Sequence, residues 1–345
     1  MINKQSLSQT IDYVRFPLIV LIIFIHTGIE PFSAELGYTR FNYLRHFVTD
    51  ELACLGVPLF FFISGFLFFY NSEFSFEVYK KKLKSRVKTL LVPYIIWNLV
   101  YVLLKFLSET FSSVQVESKM VKDFGVVDWL QVFWNIREGN PINGPLWFVR
   151  DLIIMSILSY IFYYLIKKLN FIFPLLLLML WVYEAPCLPP FTWQWSFFVL
   201  GAFFSITKMD FVYTDNRSLV FSTLMYFFLI LYSTYCDTDF YLYKWDRVFG
   251  IFCVFGWVYK GIENGRISVN KFLAKSSFFI FCFHYLFEER ITMTLMNKLA
   301  PVSEVVMLVI YLSVPAIVVL VSLGVYYILT RFMPGVSAIL LGSRK

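Results

Sequence analysis

The stretch DYVRFPLIVLIIFIHTGIE, residues 12–30, decides the fold class of this chain. It is almost entirely apolar and long enough to cross a bilayer, which takes about 20 such residues. It nevertheless carries Arg15 and His26. Polar side chains at membrane depth are costly unless they face the interior of a protein bundle or a water-filled cavity. The stretch therefore predicts a transmembrane helix with one face turned toward a polar interior.

The composition also indicates an integral membrane protein. Of the 345 residues, 59% are hydrophobic and only 15% are charged, which is more apolar than a soluble domain can bury. The net charge of +7 arises from basic residues in particular inter-helix loops, with no continuous basic stripe, so we expect no nucleic-acid partner. The cysteines lack metal-binding spacing, and we interpret them as packing residues, with no metal site. They are Cys54, Cys187, Cys236, Cys253 and Cys282.

Successive apolar runs predict the architecture. We expect an all-α, polytopic membrane protein of about ten transmembrane helices that forms a single domain over residues 1–345. The first run lacks a small-residue cleavage site and is expected to be retained as a helix. The predicted spans are 13–30, 52–70, 88–107, 145–166, 171–183, 192–207, 217–235, 246–260, 276–296 and 304–332.

The distribution of Lys and Arg over the loops predicts the topology. Basic residues are held on the cytoplasmic side during insertion, and they concentrate in alternate loops, of which the run from Lys80 to Lys88 is the richest. Both termini are therefore predicted to be cytoplasmic. The longest connection, 108–144, is then external. It is either a lid or acceptor-binding loop or a merely tolerated surface loop.

Arg15 and His26 are predicted to share one face of the first helix. At 100° per residue, their separation in sequence brings the two side chains within about 20° of each other, about 16.5 Å apart along the axis. We expect both to face the bundle interior. The alternatives are a snorkelling anchor at the helix end for Arg15 and a hydrogen-bonded structural residue for His26.

Four further segments, together with the Arg15–His26 spacing, resemble a known family. In chain order they are Phe62-Ile63-Ser64-Gly65-Phe66-Leu67, Arg86 to Pro93-Tyr94, Pro145-Leu146-Trp147-Phe148 and Ser277 to His284. The chain resembles the membrane acyltransferase-3 family, the bacterial ten-helix O-acyltransferases that modify cell-surface polysaccharides. The resemblance runs from residue 11 to about residue 330.

The chain departs from the family pattern in two places. Phe281 stands where the late helix is expected to carry Tyr, which removes a hydroxyl and the polar contact it would make. The chain also stops soon after the tenth predicted span, so it resembles the stand-alone branch that lacks an extracytoplasmic hydrolase-like domain.

The resemblance implies transfer of an acyl group, most often acetyl, from acyl-coenzyme A to a sugar hydroxyl. A hydroxyl is a poor nucleophile and needs a base, and imidazole exchanges protons near neutral pH, so His26 is the candidate. A route through an acylated residue is also open. Glu30, one turn further on, is expected to orient the imidazole and stabilise its charged form. Alternatively, Glu30 is simply the solvated end of the helix.

Candidate donor-binding residues lie toward the cytoplasmic side, because coenzyme A is a cytoplasmic polyanion. Arg15 and Arg86 are expected to meet its phosphates, and Ser64 to donate to the thioester oxygen or to substrate. The alternatives are a topology signal or lipid-headgroup partner for Arg86, and close helix packing for Ser64 with Gly65.

Candidate acceptor-binding residues lie toward the outer side. Trp147 is either a platform for a sugar ring or a membrane-interface residue. Arg150 is an intramembrane cation that binds acceptor or acyl oxygen, or pairs with a carboxylate such as Asp151 or Asp246. His284 either forms a wall of the site or packs structurally.

These expectations describe an O-acetyltransferase of the bacterial cytoplasmic membrane, surrounded by membrane lipids. Acyl-CoA, as acetyl-CoA, is its co-substrate, no cofactor is tightly bound, and the acceptor is a surface glycan or a lipid-linked sugar. The alternative is an exporter of polysaccharide or lipid-linked sugar without acyl-transfer chemistry, in which Arg15, His26 and Arg150 line a translocation path. The oligomeric state is not predicted.

Overall fold

The computed structural model describes residues 3–29, 37, 39–70, 73–111, 119–184, 194–212, 215–235, 244–299 and 303–342. These residues contain α-helices, short 3₁₀ and π turns and loops, with no β-strand among them. The all-α prediction is confirmed. In chain order the α-helices are α1 Lys4–Ile25, α2 Thr39–Arg45, α3 Gly56–Phe69, α4 Phe76–Arg86, α5 Val92–Phe111, α6 Val126–Gln131, α7 Trp147–Leu169, α8 Ile172–Val182, α9 Trp195–Thr207, α10 Asn216–Tyr235, α11 Asp246–Glu263, α12 Lys271–Phe283, α13 Glu288–Leu299, α14 Glu304–Phe332 and α15 Pro334–Leu340.

The lengths and compositions of these helices are those of a multi-pass membrane protein. Six helical stretches in the described part of the chain are long and apolar enough to cross a bilayer. They are Lys4–Ile25, Thr39–Phe69, Phe76–Phe111, Gly144–Leu169, Asn216–Tyr235 and Glu304–Phe332. Two shorter apolar helices, α8 and α9, accompany them. The polytopic fold is thus confirmed, and the count of ten spans and the cytoplasmic termini stay predictions.

The centre of the bundle is the contact between α3 and α9. The sequence of α3, GVPLFFFISGFLFF, is apolar on every face, so the helix must be surrounded by protein or lipid. Gly65 of α3 lies against the backbone carbonyl of Phe198, and Gly201 of α9 lies against that of Phe62. This reciprocal pair of glycines lets the two helix backbones touch. The packing expected for Gly65 is therefore present.

The helix α1 packs against α3, α11, α12 and α14 in the interior of the bundle. Asn3 caps its start, because the Asn3 side chain accepts from the amide of Gln5 at 2.9 Å. The helix ends at Ile25, with His26 as its C-cap residue. Gly28 then adopts a φ of +64°, a conformation that glycine reaches at little cost and that turns the chain out of the helix. The observed helix therefore begins and ends several residues before the predicted span, 13–30.

Two helices, α12 and α13, with a turn between them stand where the sequence predicts one continuous span over 276–296, so that prediction is wrong. Asn270 caps α12, accepting from the amide of Phe272 at 3.0 Å, so the helix begins at Lys271. It ends at Phe283 and is followed by the 3₁₀ turn His284–Leu286. A new helix, α13, starts at Glu288, where acidic residues favour a helix N-terminus. The charged run after Phe287 thus starts a separate helix.

The second half of the long connection, 108–144, is anchored on the bundle. Asn143 is buried; its amide donates to Asn98 Oδ1 at 3.1 Å, and its side chain donates to the carbonyl of Cys282 at 3.3 Å. Earlier in the connection, Lys119 and the Gly125 amide hydrogen-bond Asp128 and lower the pKa of its carboxyl. Residues 112–118 of the connection lie outside the described residues.

We expect Gly65→Ala to destabilise the bundle, because the new Cβ would overlap the Phe198 carbonyl and overpacking costs about 1–3 kcal/mol or more. The measurement is the melting temperature of the purified protein in detergent. Gly324→Ala is the matched control: it is also a helical glycine, but a Cβ there meets nothing within 4 Å, so the melting temperature should hold or rise slightly. Equal melting temperatures for Gly65→Ala and the wild type would contradict this packing.

Candidate active site

A cavity of about 600 Å³ lies in the part of the bundle formed by α1, α3, α7 and α12. This volume lies within the range typical of small-molecule sites, about 300–1,000 Å³. Arg15, His26, Ser64, Arg86 and Trp147, which the sequence singled out separately, all line it.

The cavity joins Arg15 to His26 along one stripe of α1. Ile19 and Ile22 line it between them, as the helical period requires. Both polar side chains therefore face the protein interior. The axial separation implied by the helix rise is about 16.5 Å. His26 lies at the end of the helix and contacts the rings of His284 and Tyr285, with centroid distances of 5.4 and 5.8 Å.

The direction of α12 relative to α1 defines the two ends of the cavity. Because His284 follows α12 and contacts His26 at the end of α1, the two helices run side by side in the same direction. Lys271 and Lys275, in the first turns of α12, are thereby placed at the Arg15 end, where both line the cavity. We call these the basic end and the histidine end.

Cations dominate the basic end. Four of them, Arg15, Arg86, Lys271 and Lys275, line the cavity together with one carboxylate, Asp12. Arg15 and Asp12 pair at 2.9 Å with side chains 37% and 43% exposed, so the pair is solvated and contributes little to stability. Both lysines are exposed. The net positive charge is therefore accessible and suits an anionic ligand.

Lys271 and Lys275 fall between the predicted spans 246–260 and 276–296, so the sequence pattern does not indicate them as site residues. The structure places them in α12, where residues four apart share one face. Asn270 was the signal that could have shown this, since it precedes an apolar run as an N-cap residue does.

The histidine end is aromatic. Trp147 and Phe148, at the start of α7, line the cavity. Phe281 also lines it, and its ring lies 5.7 Å from that of Phe148. The hydroxyl that the family resemblance leads one to expect at position 281 is absent, and an apolar contact takes its place.

Ser64 and Gly65 serve two different surfaces. Ser64 lines the cavity, whereas the adjacent Gly65 contacts α9. The close packing is thus present at Gly65, and donation by Ser64 to the thioester oxygen or to substrate stays a prediction.

Arg150 does not line the cavity. Its Nε and Nη2 donate to Asp151 Oδ1 at 2.9 and 2.7 Å, and its Nη1 donates to the carbonyl of Gly139. The guanidinium also lies 5.0 Å from the Trp134 ring centroid. Asp151 is in turn bonded by Trp195 Nε1 at 3.2 Å. The structure shows the alternative in which Arg150 pairs with Asp151, and the guanidinium fastens the 108–144 connection to α7.

His284 and Glu30 complete the set of predicted site residues. His284 is fully buried behind His26 and is not a lining residue of the cavity. Glu30, the expected carboxylate partner of His26, lies outside the described residues.

Comparison with known proteins gives a family. The chain matches the model of the acyltransferase-3 family, described as an acyltransferase domain, over residues 8–331. It is 32% identical over 165 residues to the succinoglycan biosynthesis protein ExoH of Rhizobium meliloti (strain 1021). That similarity covers 45% of this chain and 42% of ExoH, so the match spans less than half the length of the relative. No solved structure matches the chain significantly.

The family match includes every segment that lines the cavity, from Asp12 to Phe281. It also covers the helices from α1, without its first four residues, to α14, without its last residue. The chain therefore belongs to the acyltransferase-3 family of membrane acyltransferases.

Proposed function

We propose that this protein is an O-acyltransferase of the bacterial cytoplasmic membrane that moves an acyl group, acetyl in the simplest case, from acyl-coenzyme A to a hydroxyl of a surface polysaccharide or its lipid-linked precursor. The observation that carries the proposal is one cavity that joins His26 to four cations. The name of ExoH, a protein of succinoglycan biosynthesis, supports a glycan acceptor.

The basic end suits the phosphates of the donor. Arginine grips phosphate with two parallel hydrogen bonds, and lysine supplies a mobile point charge. Arg15 and Arg86 are half-buried, whereas Lys271 and Lys275 are exposed. Phosphates would therefore meet the lysines first and the arginines deeper in. The predicted topology turns this end toward the cytoplasm, where coenzyme A is found.

The length of the cavity suits the rest of the donor. The roughly 16.5 Å of helix between Arg15 and His26 accommodates an extended pantetheine arm, and the wall between them is apolar at Ile19, Ile22 and Ile63. Ser64 is the polar lining residue that α3 contributes to this stretch. In this arrangement it donates a hydrogen bond to the thioester oxygen.

The chemistry at the histidine end needs one proton carrier. His26 takes the proton of the acceptor hydroxyl while the hydroxyl oxygen forms a bond to the thioester carbonyl carbon. The carbon–sulfur bond then breaks, and the departing thiolate takes up the proton held by His26. Ester and free coenzyme A are the products, and His26 returns to its neutral form.

The aromatic side chains place the acceptor. Trp147 lines the same cavity as His26, and the flat face of an indole packs against the C–H face of a sugar ring. Phe148 and Phe281 make the adjoining wall apolar. In this arrangement, the acceptor and the donor approach His26 from different sides, and neither blocks the other.

We expect His26→Gln to lower acyl transfer at least about 100-fold, because general base catalysis contributes about 10²–10⁴-fold. The assay incubates membranes with radiolabelled acetyl-CoA and a surface-glycan fraction. His46→Gln is the control, because His46 does not line the cavity and its substitution should leave transfer intact. Label transfer that survives in His26→Gln defeats the assignment of the base. Glycan movement without label transfer in the wild type favours an exporter.

We expect Arg86→Gln and Lys275→Gln each to raise the KM for acetyl-CoA about tenfold with little change in kcat. A hydrogen bond to a charged group contributes about 1.5–3 kcal/mol, and uniform binding appears in KM alone. Lys84→Gln is the matched control, since Lys84 is exposed on the same helix as Arg86 and does not line the cavity. A loss of kcat at constant KM would place the donor phosphates elsewhere.

We expect Trp147→Ala to raise the KM for the glycan acceptor roughly threefold to tenfold, in keeping with the energy of aromatic contacts. The KM for acetyl-CoA should stay the same, because the basic end is distant. Trp257→Ala, at an exposed tryptophan of α11, is the control. Equal increases of both KM values would show a general disturbance of the bundle and contradict the sugar platform.

A further inference from the structure

His284 and Glu288 form a buried polar pair directly behind His26. His284 opens the 3₁₀ turn after α12, and Glu288 is the first residue of α13. The two residues are 0% and 1% exposed, and neither lines the cavity. The break between the two helices thus buries two titratable groups that the chemistry above does not use.

The hydrogen bonds of His284 show which of its ring nitrogens lies toward Glu288. Nδ1 lies 3.1 Å from the carbonyl oxygen of Ile280. A carbonyl only accepts, so Nδ1 carries the hydrogen and donates it. Nε2 is then the atom that faces Glu288, whose Oε2 lies 3.9 Å away. Within the described part of the chain, neither Nε2 nor either carboxylate oxygen has a hydrogen-bond partner.

This geometry requires a proton between the two residues. A neutral imidazole protonated at Nδ1 presents a lone pair at Nε2, and an ionised carboxylate presents only lone pairs. Two buried acceptors that face each other have lost their hydrogen bonds to water and cannot form one with each other. One proton held by the pair makes one partner a donor, either as imidazolium with carboxylate or as imidazole with carboxylic acid. The proton belongs to the pair and not to either residue alone.

The pair is coupled to His26 by contact. The centroids of the two imidazole rings are 5.4 Å apart. Their surroundings are apolar, since the Phe281 ring lies 6.1 Å from that of His284. Charges interact strongly across so short a distance in such surroundings, because there is little water to screen them.

We propose that Glu288 is a positioning residue that acts through His284: it holds the His284 ring against His26 and takes the proton of the pair when His26 takes the acceptor proton, so that His284 is then neutral and no second imidazolium lies beside His26. This inference rests on the proposed function. The proton of the pair stays within the pair, and the acceptor proton passes from the hydroxyl to His26 and on to the thiolate. Through His284, Glu288 thereby orients the imidazole of His26 and stabilises its charged form, which is the role that the sequence predicted for Glu30.

Glu288→Gln tests this proton-accepting role with the shape of the side chain preserved. We expect kcat for acetyl transfer to fall about 10- to 100-fold, less than the roughly 10⁴-fold loss seen when a carboxylate bonds the base directly. The KM for acetyl-CoA should stay unchanged, because the basic end is remote. Glu288→Asp should keep most of the kcat. The matched control is Glu289→Gln, since Glu289 is adjacent but exposed.

A double-mutant cycle with His284→Gln tests the route. If Glu288 acts through His284, the double variant should be no slower than His284→Gln alone, because residues that act as a unit are not additive. Each variant is compared per mole of enzyme that binds acetyl-CoA, so poor folding does not count as lost activity. Independent, multiplicative losses, or an unchanged kcat in Glu288→Gln, would overturn the inference. Absence of acetyl transfer by the wild type would instead overturn the proposed function.

Discussion

The hydrocarbon of a bilayer offers no hydrogen-bonding partners, and the rest of the structure follows from this constraint. A polar side chain at membrane depth must find its partners within protein or in a protein-lined cavity. The stripe of α1 that carries Arg15 and His26 is therefore covered by neighbouring helices. The contact of α3 with α9 supports this arrangement, because the glycines at 65 and 201 let the helices close on one side while α3 keeps Ser64 on the cavity.

The helices and the core of the candidate site could be predicted from the sequence because both follow from local periodicity. The spacing of Arg15 and His26 on a helix fixes their shared face without any knowledge of the neighbours. Contacts between distant segments could not be predicted in this way. Arg150 shows the limit: the sequence offers pairing with the adjacent Asp151 as one alternative, whereas the bond to the carbonyl of Gly139 is found only in the structure.

Buried charge alone did not distinguish a site from a structural cluster. Glu51 and Asp246 are 2% and 1% exposed and both pair with Arg247, and Ser233 donates to Glu51 at 2.6 Å. None of these residues lines the cavity. Their charges are compensated locally, as buried charges must be. His46 lies at the rim of the same cluster, with Nδ1 2.8 Å from Asp50 Oδ2. The cations of the cavity differ because they outnumber the carboxylates that line it.

The division of the cavity into two unlike ends has a consequence for the order of events. A cationic end open to solvent attracts an anionic ligand from a distance, whereas an aromatic end acts only on contact. Filling the basic end also lowers the local positive charge, which favours a protonated His26 relative to the empty cavity.

His26 must be neutral to accept a proton, so a nearby negative charge has two opposing effects. It stabilises the imidazolium that forms during transfer, and it makes a neutral base harder to keep. A proton shared between Glu288 and His284 reconciles the two effects, although the pair has no net charge in either form. With the proton on His284, an imidazolium lies beside His26 and keeps it neutral; with the proton on Glu288, His284 is neutral and His26 can carry the acceptor proton. Such a pair can follow the charge of His26 without any proton entering or leaving the membrane interior.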